Sequence, residues 1–195
     1  GAVTKTLGVV DGQHRLEAAR NLKKHFYYIV DGDLIDEDIA RLNATARKWM
    51  LENYVQMYLQ RLHKGEKQFE DYEELQSFAV DHGITYSIAA SLLIGNKGMR
   101  GDSIYSLIRK GTFKVKTYKE AESMMKASRA LAPFMGLKIH GTREWLGALN
   151  QVTEKYSVSE IKDAVKSSGK MISKQLNKQA YLDLFEEISN GKIKV

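Results

Sequence analysis

Apolar residues recur at helical spacing along most of this chain. Leu51, Tyr54, Val55, Tyr58, Leu59 and Leu62 stand at i, i+3, i+4, i+7 and so predict an amphipathic helix over 50–63, closed by Gly65. The same spacing predicts helices over 71–82, 85–94, 102–110, 118–132, 142–152, 158–167 and 172–189. Asp36, followed by acidic residues, predicts a further helix start, because carboxylates there complement the helix dipole. Two stretches read differently. "KTLGVV" (Lys5–Val10) and "FYYIV" (Phe26–Val30) have strand composition, and "DGD" closes the second. A helix starting near Gly12 lies between them, with Asp11 as its cap and Leu16, Ala19 and Leu22 as its buried stripe. Strand, helix and strand have the length of a small βαβ unit. Two strands alone make no stable sheet, so further strands upstream of residue 1 are expected.

Composition narrows the class. The chain has 195 residues, 43% hydrophobic and 28% charged, which fits a globular protein. It holds no run of 18 apolar residues, so a transmembrane helix is excluded. Cysteine is absent, which excludes disulfides, thiolate metal sites and thiol nucleophiles and suits a cytoplasmic protein. The net charge of +6 is uneven. Residues 1–95 hold 11 Lys/Arg against 14 Asp/Glu, a net of −3; residues 96–195 hold 19 against 10, a net of +9. The basic residues concentrate over 96–119, where Lys97, Arg100, Arg109, Lys110, Lys114, Lys116 and Lys119 face a single acid, Asp102. Such a patch fits either a polyanionic partner or a solvated helical surface.

The chemistry gathers at "VVDGQHRLEAA". Gly12 permits a sharp turn, and Gln13, His14 and Arg15 fall in a helix's first turn, where free amides and a guanidinium attract phosphate or carboxylate. A structural ion pair of Arg15 is the other reading. The string resembles the signature turn of the ParB/sulfiredoxin superfamily over residues 5–47, with Gly12, His14, Arg15 and Ala18 matching. The resemblance implies a nucleotide-phosphate turn at Gly12, Gln13, His14 and Arg15, with Arg47 or Lys48 reaching the same pocket. It implies CTP or another NTP with Mg²⁺ as cofactor and DNA as partner, in a bacterial, plasmid or phage setting. Sulfiredoxin chemistry needs a Cys where Gln13 stands and is excluded. The "ENxxR" motif of the CTP-hydrolysing members has its nearest equivalent in "LNATARKW", where Asn43 and Arg47 are one residue too far apart and the Glu is missing.

ParB-like proteins often follow this domain with a helix-turn-helix. "ELQSFAVDHGITYSIAASLLIG" fits that motif, with Ala79 where the helices touch, Gly83 at the turn, and Ile84, Ala89 and Leu92 buried. Thr85, Tyr86 and Ser87 would then meet the bases. Because these residues carry no charge, phosphate contacts are expected from Lys97, Arg100, Arg109, Lys110 and Lys114, on a glycine-rich loop and a short helix capped by Asp102. The resulting expectation is an α+β chain: a small ParB/sulfiredoxin-like α/β part over 1–48, then a mainly helical domain over 49–195, helix-turn-helix-like over 71–95. The last helix, with Leu182, Leu184, Phe185 and Ile188, fits either bundle closure or a homodimer.

Two other readings stay open. One is a metal-dependent nuclease or nucleotidase using Asp11, His14 and Asp31 or Asp33. The other is an interaction module with a degenerate nucleotide pocket. The histidines show no metal-ligand spacing, and neither a P-loop nor a GxSxG elbow is present.

Overall fold

The computed structural model describes residues 2–3, 9–30, 33, 49–95, 101–136, 139–189 and 191–193. The chain is mostly helical and divides into two compact units, Gly1–Tyr54 and Val55–Val195. None of the described helices is long and apolar enough to cross a membrane.

In the first unit, β1 (Ala2–Val3), β2 (Val9–Asp11) and β3 (Ile29–Val30) form a sheet in the order β2-β1-β3. β1 is antiparallel to β2 and parallel to β3, so β2 and β3 point opposite ways with β1 between them. This corrects the expected βαβ unit, in which the two strands flanking the helix would run parallel. The strands are also shorter than expected. Phe26–Tyr28 lie outside β3, and residues 5–8 are outside the described ones. Helix α1 (Gln13–Asn21) starts one residue later than Asp11 would cap it: the cap position is Gly12, at φ +89°, and Asp11 ends β2. No residue of α1 is fully buried. Leu16 and Ala19 are half-buried and Leu22 is 70% exposed, so the expected stripe is not a core. Strands of two or three residues offer too little surface to cover a helix face. The helix expected from Asp36 lies outside the described residues.

In the second unit the helical stripes become the core. Helix α2 (Leu51–His63) straddles the division and buries Tyr54, Val55, Tyr58 and Leu59. A 3₁₀ turn (Lys67–Phe69) leads into α3 (Glu70–His82), followed by α4 (Tyr86–Leu93), α5 (Gly101–Arg109) and α6 (Tyr118–Leu131). Asp102 lies inside α5 rather than capping it. Tyr58 packs its ring 4.7 Å from those of both Phe69 and Tyr72, and Tyr72 meets Phe113 edge-on at 5.8 Å. The two phenols also finish α5. Tyr72 donates to the Ile108 carbonyl at 3.0 Å and Tyr58 to that of Arg109 at 2.9 Å, satisfying acceptors that a helix end leaves open. Burial pushes the Tyr72 phenol well above its ordinary pKa. It therefore stays a donor throughout the physiological range.

The segment after α5 is tied at both ends. Asp71 accepts from the Val115 amide at 2.7 Å and from the Lys114 ammonium at 2.6 Å. Thr117 donates its hydroxyl to the Leu92 carbonyl at 2.8 Å, at the end of α4. Three further helices complete the unit: α7 (Arg143–Thr153), α8 (Val158–Ser168) and α9 (Lys178–Ile188). A capping box of Ser157 and Glu160 opens α8. Helix α9 starts at Lys178, not at 172 as the apolar pattern suggests. The Ile172 amide donates to the Phe134 carbonyl at 2.7 Å and Gly136 donates back to Ile172, which takes Ile172 into an isolated bridge, and Asn177 then caps the helix.

Candidate nucleic-acid interface

The α3–α4 pair is joined by a short, fully bonded turn. Gly83 sits at φ +63°, where a residue with a Cβ would be strained. Its amide donates to the Val80 carbonyl at 3.1 Å, and the Ile84 amide donates to Ala79 at 3.0 Å. These two bonds form a Schellman motif, which ends α3 within one residue. Thr85 restarts the helix: its hydroxyl accepts from the Ile88 amide. Ala79, Ala89 and Ala90 are buried, so small side chains occupy the expected contact positions and the helices can cross closely. Ile84 and Leu92, both expected to be buried, are only half-buried, and Leu93 is the fully covered residue.

Two cations meet this turn from elsewhere in the chain. Arg129, in the last turn of α6, donates Nη2 to the Asp81 carbonyl at 2.6 Å. Arg143, the first residue of α7, donates Nη2 to Ser87 Oγ at 2.8 Å. Both side chains are exposed. The N-terminal turn of α4 therefore presents Thr85, Tyr86 and Ser87 with a guanidinium beside them, although the local sequence supplies none. Sequence reasoning missed both arginines. A signal existed for Arg143, since a cation opening a helix works against the dipole and needs another partner; Ser87 is that partner.

The turn is braced from below. His82 is buried, and its Nε2 lies 2.9 Å from Glu122 Oε2 on α6. Its Nδ1 is buried without a partner among the described residues. The hydrogen bond from His82, aided by its charge when protonated and by Lys126, holds the Glu122 carboxyl below its ordinary value. A depressed carboxyl contributes stability above its unfolded pKa and loses it as pH falls through the folded one. Glu122→Gln is therefore expected to flatten the loss of stability as pH falls through and below the ordinary carboxylate range. Urea midpoints across that range check it; an unchanged slope would refute the assignment.

The other expected residues are placed as follows. Arg109 and Lys110 are exposed at the end of α5. Lys114, exposed like them, pairs with Asp71 and donates to the Gln68 carbonyl, at 2.6 and 3.0 Å. Lys97 and Arg100 lie outside the described residues, as do Arg47 and Lys48. In the first unit, Gln13 donates Nε2 back to the Val9 carbonyl at 3.0 Å, while His14 and Arg15 are exposed on the first turn of α1. Asp33 is exposed, and Asp31 lies outside the described residues. Among the described residues no group of three or more His, Asp or Glu side chains is placed to hold a metal ion.

No family model matches the chain, and no curated protein or solved structure matches it either.

Proposed function

We propose that the chain is a ParB-like DNA-binding protein that meets duplex DNA through the α3–α4 pair. The observation that carries this reading is the convergence of Arg129 and Arg143 on the two ends of the turn. Hydroxyls of Thr85, Tyr86 and Ser87 suit base edges, and the guanidinium groups suit phosphates, which is the usual division of labour. Asp81 on the same turn limits how much charge can gather there, and this favours contacts to particular phosphates over a diffuse basic field. Exposed Arg109 and Lys110 supply further charge from α5. In the same reading the first unit is the ParB/sulfiredoxin-like part, and Gly12, Gln13, His14 and Arg15 hold a nucleotide phosphate at the start of α1. Its exposed His14 and Arg15 beside a helix N-terminus support that role.

Anisotropy of a fluorescent duplex across a salt series tests the proposal. Binding should weaken linearly on a log–log plot, with a slope of roughly 0.9 for each phosphate neutralised. Arg129→Gln with Arg143→Gln should lower that slope by about 0.9 for each arginine that contacts a phosphate. Circular dichroism of the variant controls for folding. No binding at low salt, or an unchanged slope in a folded variant, would overturn the reading.

A further inference from the structure

A groove of about 650 Å³ opens between α4, α6 and α7, within the size range of small-molecule sites. Its lining is mostly apolar, with Ile88 and Leu92 from α4, Ala121 and Met124 from α6 and Leu146 from α7. The charged groups around it are Glu120, Glu144, Glu154, Arg143 and Lys178. They are not equally available. Arg143 is held by Ser87 and Glu154 by Asn150, at 2.8 and 3.3 Å. Glu120 and Glu144 have no hydrogen bond or ion pair with the described residues. Lys178 lays its aliphatic stem over Gly147, where a Cβ would stand 3.5 Å from Cδ. The groove thus offers an apolar floor and two uncommitted carboxylates against one uncommitted ammonium.

We propose that this groove binds a small organic cation: a protonated amine or amidine on an apolar body. The floor takes the body out of water, and Glu120 and Glu144 at the rim take the charge. An anion of the same shape would meet three carboxylates, Glu120, Glu144 and Glu154, against two cations, Arg143 and Lys178. The attraction works at close range beside an apolar wall, where water screens less than in bulk. The inference does not depend on DNA binding, and its test uses no DNA, so either reading can fail alone.

The test compares 4-phenylbutylammonium, 4-phenylbutanol and 4-phenylbutyrate, which share a body and differ in charge. Binding is read on the full chain from the ¹³C-methyl resonance of Met124. The ammonium compound should shift it saturably and bind about tenfold more tightly than the carboxylate, with the alcohol between. In Glu120→Gln with Glu144→Gln, isosteric changes at the rim, that preference should fall to about threefold or less. The proposal is overturned by the absence of a saturable shift with all three probes. It is equally overturned by an alcohol or carboxylate that binds as well as the ammonium compound, or by a preference that survives in the double variant.

Discussion

Replacing Trp145 with alanine is expected to destabilise the second unit by about 3–5 kcal/mol, the largest effect of any single change considered. The indole is fully buried in α7, stacked on Phe185 at 5.4 Å and edge-on to Tyr181 at 5.6 Å, both from α9. Truncation removes the apolar transfer term and leaves a cavity that rigid neighbours cannot fill. The indole also starts a polar chain. Nε1 donates to Ser128 Oγ at 2.7 Å, and that hydroxyl donates to the His140 carbonyl at 2.7 Å. The chain fixes the bend before α7, where Gly141 leaves only enough room for Ile84: an added Cβ would come within 2.7 Å of it. Trp145 thus reaches, through Ser128 and the bend, the turn between α3 and α4. Urea unfolding should show a lower midpoint with an unchanged slope, and Trp145→Phe should cost less because it keeps a ring. A loss below about 1 kcal/mol would contradict this account.

Gly111→Ala is expected to cost about 2–5 kcal/mol, against about 1–2 for Gly83→Ala. The two glycines have similar backbones, at φ +71° and +63°. Both substitutions therefore carry the left-handed penalty of a residue with a Cβ. Their surroundings differ. A Cβ at Gly83 meets nothing within 4 Å, whereas one at Gly111 lands 2.8–2.9 Å from the ring and hydroxyl of Tyr58. That ring cannot retreat cheaply, since it is packed on Phe69 and Tyr72 and its hydroxyl closes the end of α5. Overpacking adds to the backbone term. Paired thermal or urea unfolding of the two variants separates the contributions. Equal losses would mean that the Tyr58 contact is softer than its geometry indicates.

Helix-forming patterns were legible in the sequence where one face of a helix meets a core. Tyr54, Val55, Tyr58 and Leu59 stand at the predicted positions and are buried, and α3, α4 and α6 start and end within a residue or so of their predicted limits. Gly83 was readable for the same reason, because a turn that tight requires a particular backbone. The failures also have a pattern. Leu16, Ala19 and Leu22 carry a helical stripe, yet no core covers it, because burial needs a second surface that periodicity cannot supply. Residues 172–177 have helix-compatible composition, but Ile172 pairs its backbone with 134–136 and the helix starts only after Asn177 caps it. Nor does local pattern show that Lys114 pairs with Asp71, 43 positions away.

The sequence by itself determined which segments become helices and where α3 must break, since those depend on neighbours three or four residues apart. Only the tertiary structure decided what surrounds that break. Arg129 and Arg143 reach it from 48 and 56 positions away, and the lining of the apolar groove beside it comes from four helices, α4, α6, α7 and α9. Contacts at such separations depend on how packed helices cross one another in space, and no local pattern of polar and apolar residues encodes that crossing.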